Sequence, residues 1–202
     1  MIRIKSKKKS LEKTIKKIRH IEEYESLAMA QYFEDSALEN VHLNRQVIAD
    51  IHDFVEDSLS EKTVCEVGGF LLGNESEQEG ICIELFVPAY QIDKSSPSRL
   101  HFGAGSMQEL DAFRDRYPEY QMKGWFHTHT AGLMPFLSRL DIRIHEGFFT
   151  QQDQIAIVLD VKTDGFQTGV FTRQQNGTLN NIKDIKGRKP IYWKQILEVV
   201  NG

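Results

Sequence analysis

Gly124–Asp141 reads GWFHTHTAGLMPFLSRLD, and it belongs with Glu66 in the earlier run CEVGGFLLG, Cys65–Gly73. Side chains alternate along an extended segment with a period of two, so His127 and His129 project to one side. Apolar Met122 and the Gly124-Trp125-Phe126 run lead into the pair. That places the histidines at the end of a buried strand, a rigid element able to aim two imidazoles at one point. Asp141 then supplies a hard oxygen from the first turn of the next helix. Two imidazoles and one carboxylate leave one position open on a tetrahedral Zn2+, which is the pattern of a catalytic rather than a structural zinc. Each piece also has a plainer reading. An H-x-H pair is common on strands that bind no metal, Ser138 and Asp141 have the S-x-x-D spacing of a helix cap, and Glu66 fits a strand-end carboxylate facing water.

Taken together, the three blocks resemble the JAMM (MPN-domain) metallopeptidases. The motif of that family is a glutamate opening an E-x-x-G-x-x-x-G-like strand, then H-x-H, then S-x-x-D. Here Glu66–Gly73 is similar to the first block, Gly124–His129 to the second and Ser138–Asp141 to the third. The resemblance extends over roughly Val41 to Phe171, and a match in three separated blocks is far more specific than any one of them. Two departures stand out: Thr130 replaces the usual proline, and the His129-to-Asp141 loop is one residue longer than the commonest spacing.

The resemblance implies a mixed α/β MPN fold, like that of the cytidine deaminases. It also implies a zinc-dependent isopeptidase or peptidase that cuts after the C-terminus of a ubiquitin-like protein, in deconjugation or precursor maturation. His127, His129 and Asp141 would hold the Zn2+, Glu66 would be the general base, and Ser138 would donate to the developing oxyanion. The implied partners are a ubiquitin-like protein or its conjugate, and proteins of the conjugation system. The alternative is a non-catalytic MPN scaffold that binds such partners; relatives of that kind typically lack the ligands, and all of them are present here.

The remaining sequence bounds these expectations. A chain of 202 residues is enough for one domain with a sizeable core plus an appendage. A net charge of -4 argues against the whole molecule being a nucleic-acid binder. The basic start MIRIKSKKKS is followed by Leu11-Glu12-Lys13 rather than an unbroken apolar core, so no secretory signal is read, and no run is long enough to span a bilayer. Cys65 and Cys82 are the only cysteines and are read as free thiols in a reducing, cytoplasmic setting.

Residues 1–40 differ from the rest and are read as a charged helical extension to a domain over 41–202. The first twenty carry nine lysines or arginines against Glu12 alone, and residues 21–40 reverse the sign. Leu11, Ile15, Ile18 and Ile21 share a helical face, which predicts an amphipathic helix over Ser10–Tyr32. Beyond it the pattern predicts a central, largely antiparallel sheet flanked by helices. A strand at Val41–Leu43 precedes a helix capped by Asn44, and a strand over Lys62–Leu72 contains Glu66 and pairs with Ile81–Val87. The polar loop Gln91–Arg99 corresponds by resemblance to the segment that holds the substrate tail. Further elements are a short strand at Leu100–Phe102, a helix over Ser106–Tyr117, and the helix from Ser138 to about Gly147. Strands Gln154–Val161 and Gly165–Thr172 and a closing helix over Ile191–Val200 complete the chain. His52, His101 and His145 are given no metal role, His145 being close enough to Asp141 to pair with it.

Overall fold

The computed structural model describes residues 26–33, 38–60, 65–76, 80–89, 102–174, 177–179 and 190–201. The elements in order are β1 (Ser26–Ala28), α1 (Ala30–Phe33), β2 (Val41–Asn44), α2 (Arg45–Leu59), β3 (Gly68–Ser76), β4 (Gly80–Pro88), α3 (Ala104–Arg116), β5 (Gln121–His129), α4 (Arg139–Phe148), β6 (Ile155–Asp160), β7 (Gln167–Phe171), β8 (Ile191–Tyr192) and α5 (Trp193–Asn201). The strands form one mixed sheet of eight, ordered β1-β2-β4-β3-β5-β6-β7-β8. The β2·β4 and β5·β6 pairs are parallel and the others antiparallel.

Helices cover both faces of this sheet, and the strand sequences show why. Along β6, Ile155, Ile157 and Leu159 join one buried cluster with Val47, Ile48, Ile51 and Val55 of α2 and Trp193 and Ile196 of α5. Ala156 and Val158 join the other, with Leu110 and Phe113 of α3 and Ile144 of α4. A strand buried on both faces must be apolar at every position, as IAIVL is. The two clusters are therefore the two sides of one period-two pattern.

Local chemistry sets the ends of the helices. Asn44 caps α2 by accepting the Gln46 amide at 2.8 Å. The start of α5 is held by Trp193 N–H donating to Phe166 O at 2.9 Å and Lys194 N–H to Gly165 O at 3.1 Å. The Trp193 indole donates to Ile48 O at 3.2 Å, which ties α5 to α2. Inside β5 a buried lysine, Lys123, is neutralised by Asp153.

Several boundaries differ from the expectations. Strand β3 begins at Gly68 rather than near Lys62, so Glu66 precedes the strand instead of lying inside it. Its far end runs to Ser76, beyond the expected end at Leu72. Most of the helix expected over Ser10–Tyr32 lies outside the described residues, but its last part is strand β1 followed by the single turn α1. Ile191 and Tyr192 form a strand, not the first turn of the closing helix. The loop Gln91–Arg99, Leu100 and His101 lie outside the described residues. Cys65 and Cys82 are free thiols. No helix among the described residues is long and apolar enough to cross a membrane.

Candidate metal centre

The site forms where β5 ends and α4 begins, on the sheet face covered by α3 and α4. Gly68 pairs with His127 across the β3·β5 ladder. The pairing continues one residue further through side-chain chemistry: Thr128 N–H donates to Val67 O at 2.9 Å, and Val67 N–H donates to Thr128 Oγ1 at 2.9 Å. Residues opposite one another in a ladder project to the same face. Glu66 directly precedes this doubly bonded Val67. Glu66 is itself buried.

The third donor arrives from α4. Ser138 is the N-cap residue, its Oγ accepting the Asp141 amide at 3.2 Å while Asp141 Oδ2 accepts the Ser138 amide at 2.7 Å. This reciprocal box holds the Asp141 carboxylate still. The same Oδ2 lies 3.5 Å from His127 Nε2 and 3.5 Å from His129 Nε2, and the two Nε2 atoms are 3.1 Å apart. All three side chains are buried.

These separations test the fit of a metal. Two ligand atoms about 2.0–2.1 Å from a tetrahedral Zn2+ are about 3.3–3.4 Å apart, close to all three edges of the triangle observed. Protons account for it less well, because an N–H bonded along one edge leaves electron-rich atoms crowded along another. Burial pushes the His127 imidazole below its ordinary pKa, against the raising effect of Asp141, so its ring is neutral with a lone pair to give. Burial alone would raise Asp141, but the bonds with His127, His129 and Ser138 outweigh it and hold the carboxyl well below the usual carboxylate range. Two imidazoles and an anionic carboxylate form the donor set that a divalent cation requires, and His127, His129 and Asp141 can hold a metal ion.

Other residues at the site carried no sequence signal beyond their burial. Trp125 stacks on His127 with ring centroids 4.5 Å apart and planes 7° apart. Its indole donates to His145 Nδ1 at 3.1 Å, so the bond found at His145 runs to Trp125. Phe136 meets the His129 ring edge-on at 4.9 Å. Asp160 pairs with His129 across β5·β6 and is fully buried, with burial pushing its carboxyl pKa up.

The buried His145 yields a stability prediction. Burial, assisted by Arg173, lowers its pKa from 6.5 to about 4. Its neutral ring therefore stabilises the fold fully above about pH 6.5, and that contribution is lost as pH falls toward 4. At 1.36 kcal/mol per unit the loss is at most roughly 3 kcal/mol. Urea unfolding of metal-free protein between pH 4 and 7.5 is expected to show this slope, and His145→Phe, which cannot titrate, is expected to flatten it. An equal slope in both proteins would place the titration elsewhere.

No curated protein sequence matches the chain. Two solution structures are similar to it, both at TM-scores below 0.5. One is of a protein from Desulfitobacterium hafniense, with 20% identity, 69% of this chain and 87% of that chain covered, and a TM-score of 0.48. The other is of a protein from Salinibacter ruber, with 12% identity, 69% and 86% covered, and a TM-score of 0.45. Residues 36–154 match the family model described as JAB1/Mov34/MPN/PAD-1 ubiquitin protease. That match spans β2 to the residue before β6, takes in Glu66, both histidines, Ser138 and Asp141, and covers more than half of the sequence: the chain belongs to the JAB/MPN family.

Proposed function

We propose that the protein is a zinc-dependent isopeptidase or peptidase that hydrolyses the bond after the C-terminus of a ubiquitin-like protein. The observation that carries this reading is the triangle of His127 Nε2, His129 Nε2 and Asp141 Oδ2, with edges of 3.1, 3.5 and 3.5 Å, buried beside the start of α4. A bound zinc would lower the pKa of a water to about 7 and polarise the scissile carbonyl.

The chain's own residues would do the rest. Glu66 takes the proton of the attacking water and returns it to the leaving amine, a role that needs hydrogen-bond reach to the water rather than a place among the ligands. Ser138 Oγ uses an acceptor lone pair on the Asp141 amide, so its O–H proton can be donated to the carbonyl oxygen as charge develops there. By the resemblance, Gln91–Arg99 is the segment to which we assign the substrate tail, an extended peptide being a strand that can be recognised through its backbone.

The direct experiment incubates the full chain with fusions of candidate ubiquitin-like proteins. Cleavage at the fusion junction is expected, with loss on chelation and recovery on adding Zn2+. Cleavage that survives complete removal of metal would overturn the reading.

A further inference from the structure

Helix α4 carries Asp141, and a hydrogen bond and a ring stack also link this helix to His127 through Trp125. A ligating histidine ordinarily has its ring plane fixed by a hydrogen bond from its other nitrogen. His127 lacks that device among the described residues, since its Nδ1 is buried and has no hydrogen-bond partner. What lies against the ring is the Trp125 indole, nearly parallel at 4.5 Å.

The indole is held on its other sides. Phe149 stacks on it at 5.8 Å and 12°, and Phe102 meets it edge-on at 5.7 Å and 76°. Rotation within its own plane is fixed by the N–H bond to His145 Nδ1. His145 rests against Phe149 at 5.6 Å and lies four residues after Asp141, one turn along α4. We infer that Trp125 is a positioning residue for the metal centre, with α4 setting Asp141 directly and His127 through the stack His145–Trp125–His127. This rests on the metal reading of the site. Its physical content is that an aromatic plane does the work of the missing hydrogen bond.

Co2+ is a suitable probe, because its visible absorption reports ligand geometry independently of catalysis. Wild type is expected to bind Co2+ with a tetrahedral band and with quenching of Trp125 emission; Trp193, on the other side of the sheet, serves as the internal reference. Trp125→Leu, which removes the stack, is expected to weaken Co2+ binding about 10-fold or more and shift the band. Trp125→Phe retains a ring face and is expected to restore much of the affinity, a rescue that mere core filling by Leu would not give. His145→Phe, which removes the acceptor but preserves ring volume, is expected to shift the band with a several-fold loss of affinity. If Trp125→Leu fails to fold by circular dichroism, the Phe variants at 125 and 145 decide the matter. Wild-type affinity and an unchanged band in His145→Phe, and in Trp125→Leu where it folds, would overturn the positioning role alone. A wild-type chain that takes up no Co2+ would overturn the ligand assignment beneath it.

Discussion

Glu66→Gln is expected to leave metal binding intact and to slow cleavage by about 10²–10⁴-fold, the range associated with a positioned general acid–base. The substitution retains the shape and hydrogen-bonding capacity of the side chain but removes its ability to take and return a proton. Its expected selectivity comes from the division of labour at the site. Three side chains converge on one point from the end of β5 and the start of α4, while Glu66 is not among them and sits next to Val67, which is bonded to Thr128 of β5. Single-turnover cleavage of a fusion substrate, with metal content measured on the same sample, separates the two functions. Near-normal turnover in the variant would remove Glu66 from the role of base and leave the metal site standing.

A second large effect is structural. Gly124→Ala is expected to destabilise the protein by roughly 2–6 kcal/mol, since a clash and backbone strain of this kind cost about 1–3 kcal/mol each. A Cβ at Gly124 would meet Ile155 O at 2.1 Å, and its φ is +155°. The register of β3 against β5 shifts between Leu71 and Leu72, opposite Gly124 and Met122, and at this irregularity β6 approaches the β5 backbone closely. The clash cannot be relieved by turning a side chain, because its nearest partner is a backbone carbonyl. Gly147 in α4 serves as the control, with nothing within 4 Å of an added Cβ; Gly147→Ala is expected to be neutral or slightly stabilising. Urea titration of both variants decides the point. A loss below about 1 kcal/mol at Gly124 would contradict the β5·β6 pairing, and with it the placement of the histidines three and five residues on.

Much of this arrangement was legible because it follows short-range rules. Alternation placed His127 and His129 on one face, and the apolar Gly124-Trp125-Phe126 run pointed to a buried strand, as Gln121–His129 is. The S-x-x-D spacing supported two readings, a helix cap and a metal ligand. Both readings fall on one atom in the structure, since the Asp141 oxygen that accepts the Ser138 amide also faces both imidazoles and could hold a metal with them. Asn44 and Ser138 were recognisable as caps because a capping bond depends only on neighbours in sequence.

The misses share a different origin. Glu66 was read inside a strand because Val64–Leu72 is almost continuously apolar, yet Val67 bonds to the Thr128 side chain instead of a backbone carbonyl, and the regular ladder starts only at Gly68. Three-residue β1 has too little length for any periodicity to appear, and it exists because Ser26–Ala28 finds β2 as a partner. Ile191 and Tyr192 fit a helical pattern but pair with Thr168 and Gln167. The parallel β5·β6 and β2·β4 contacts depend on where distant segments meet, which the composition of neither strand records. Trp125 read as core, and its second task emerged only when the ring beside it proved to be His127.

The central claim is that His127, His129 and Asp141 share one divalent ion, and metal stoichiometry tests it most directly. Purified protein and an Asp141→Ala variant, each stripped and then equilibrated with Zn2+ at neutral pH, are compared by elemental analysis after dialysis. The predicted result is one zinc per chain in the first and none above background in the second, with both remaining folded by circular dichroism. Equal zinc in the two, or none in either, would contradict the account.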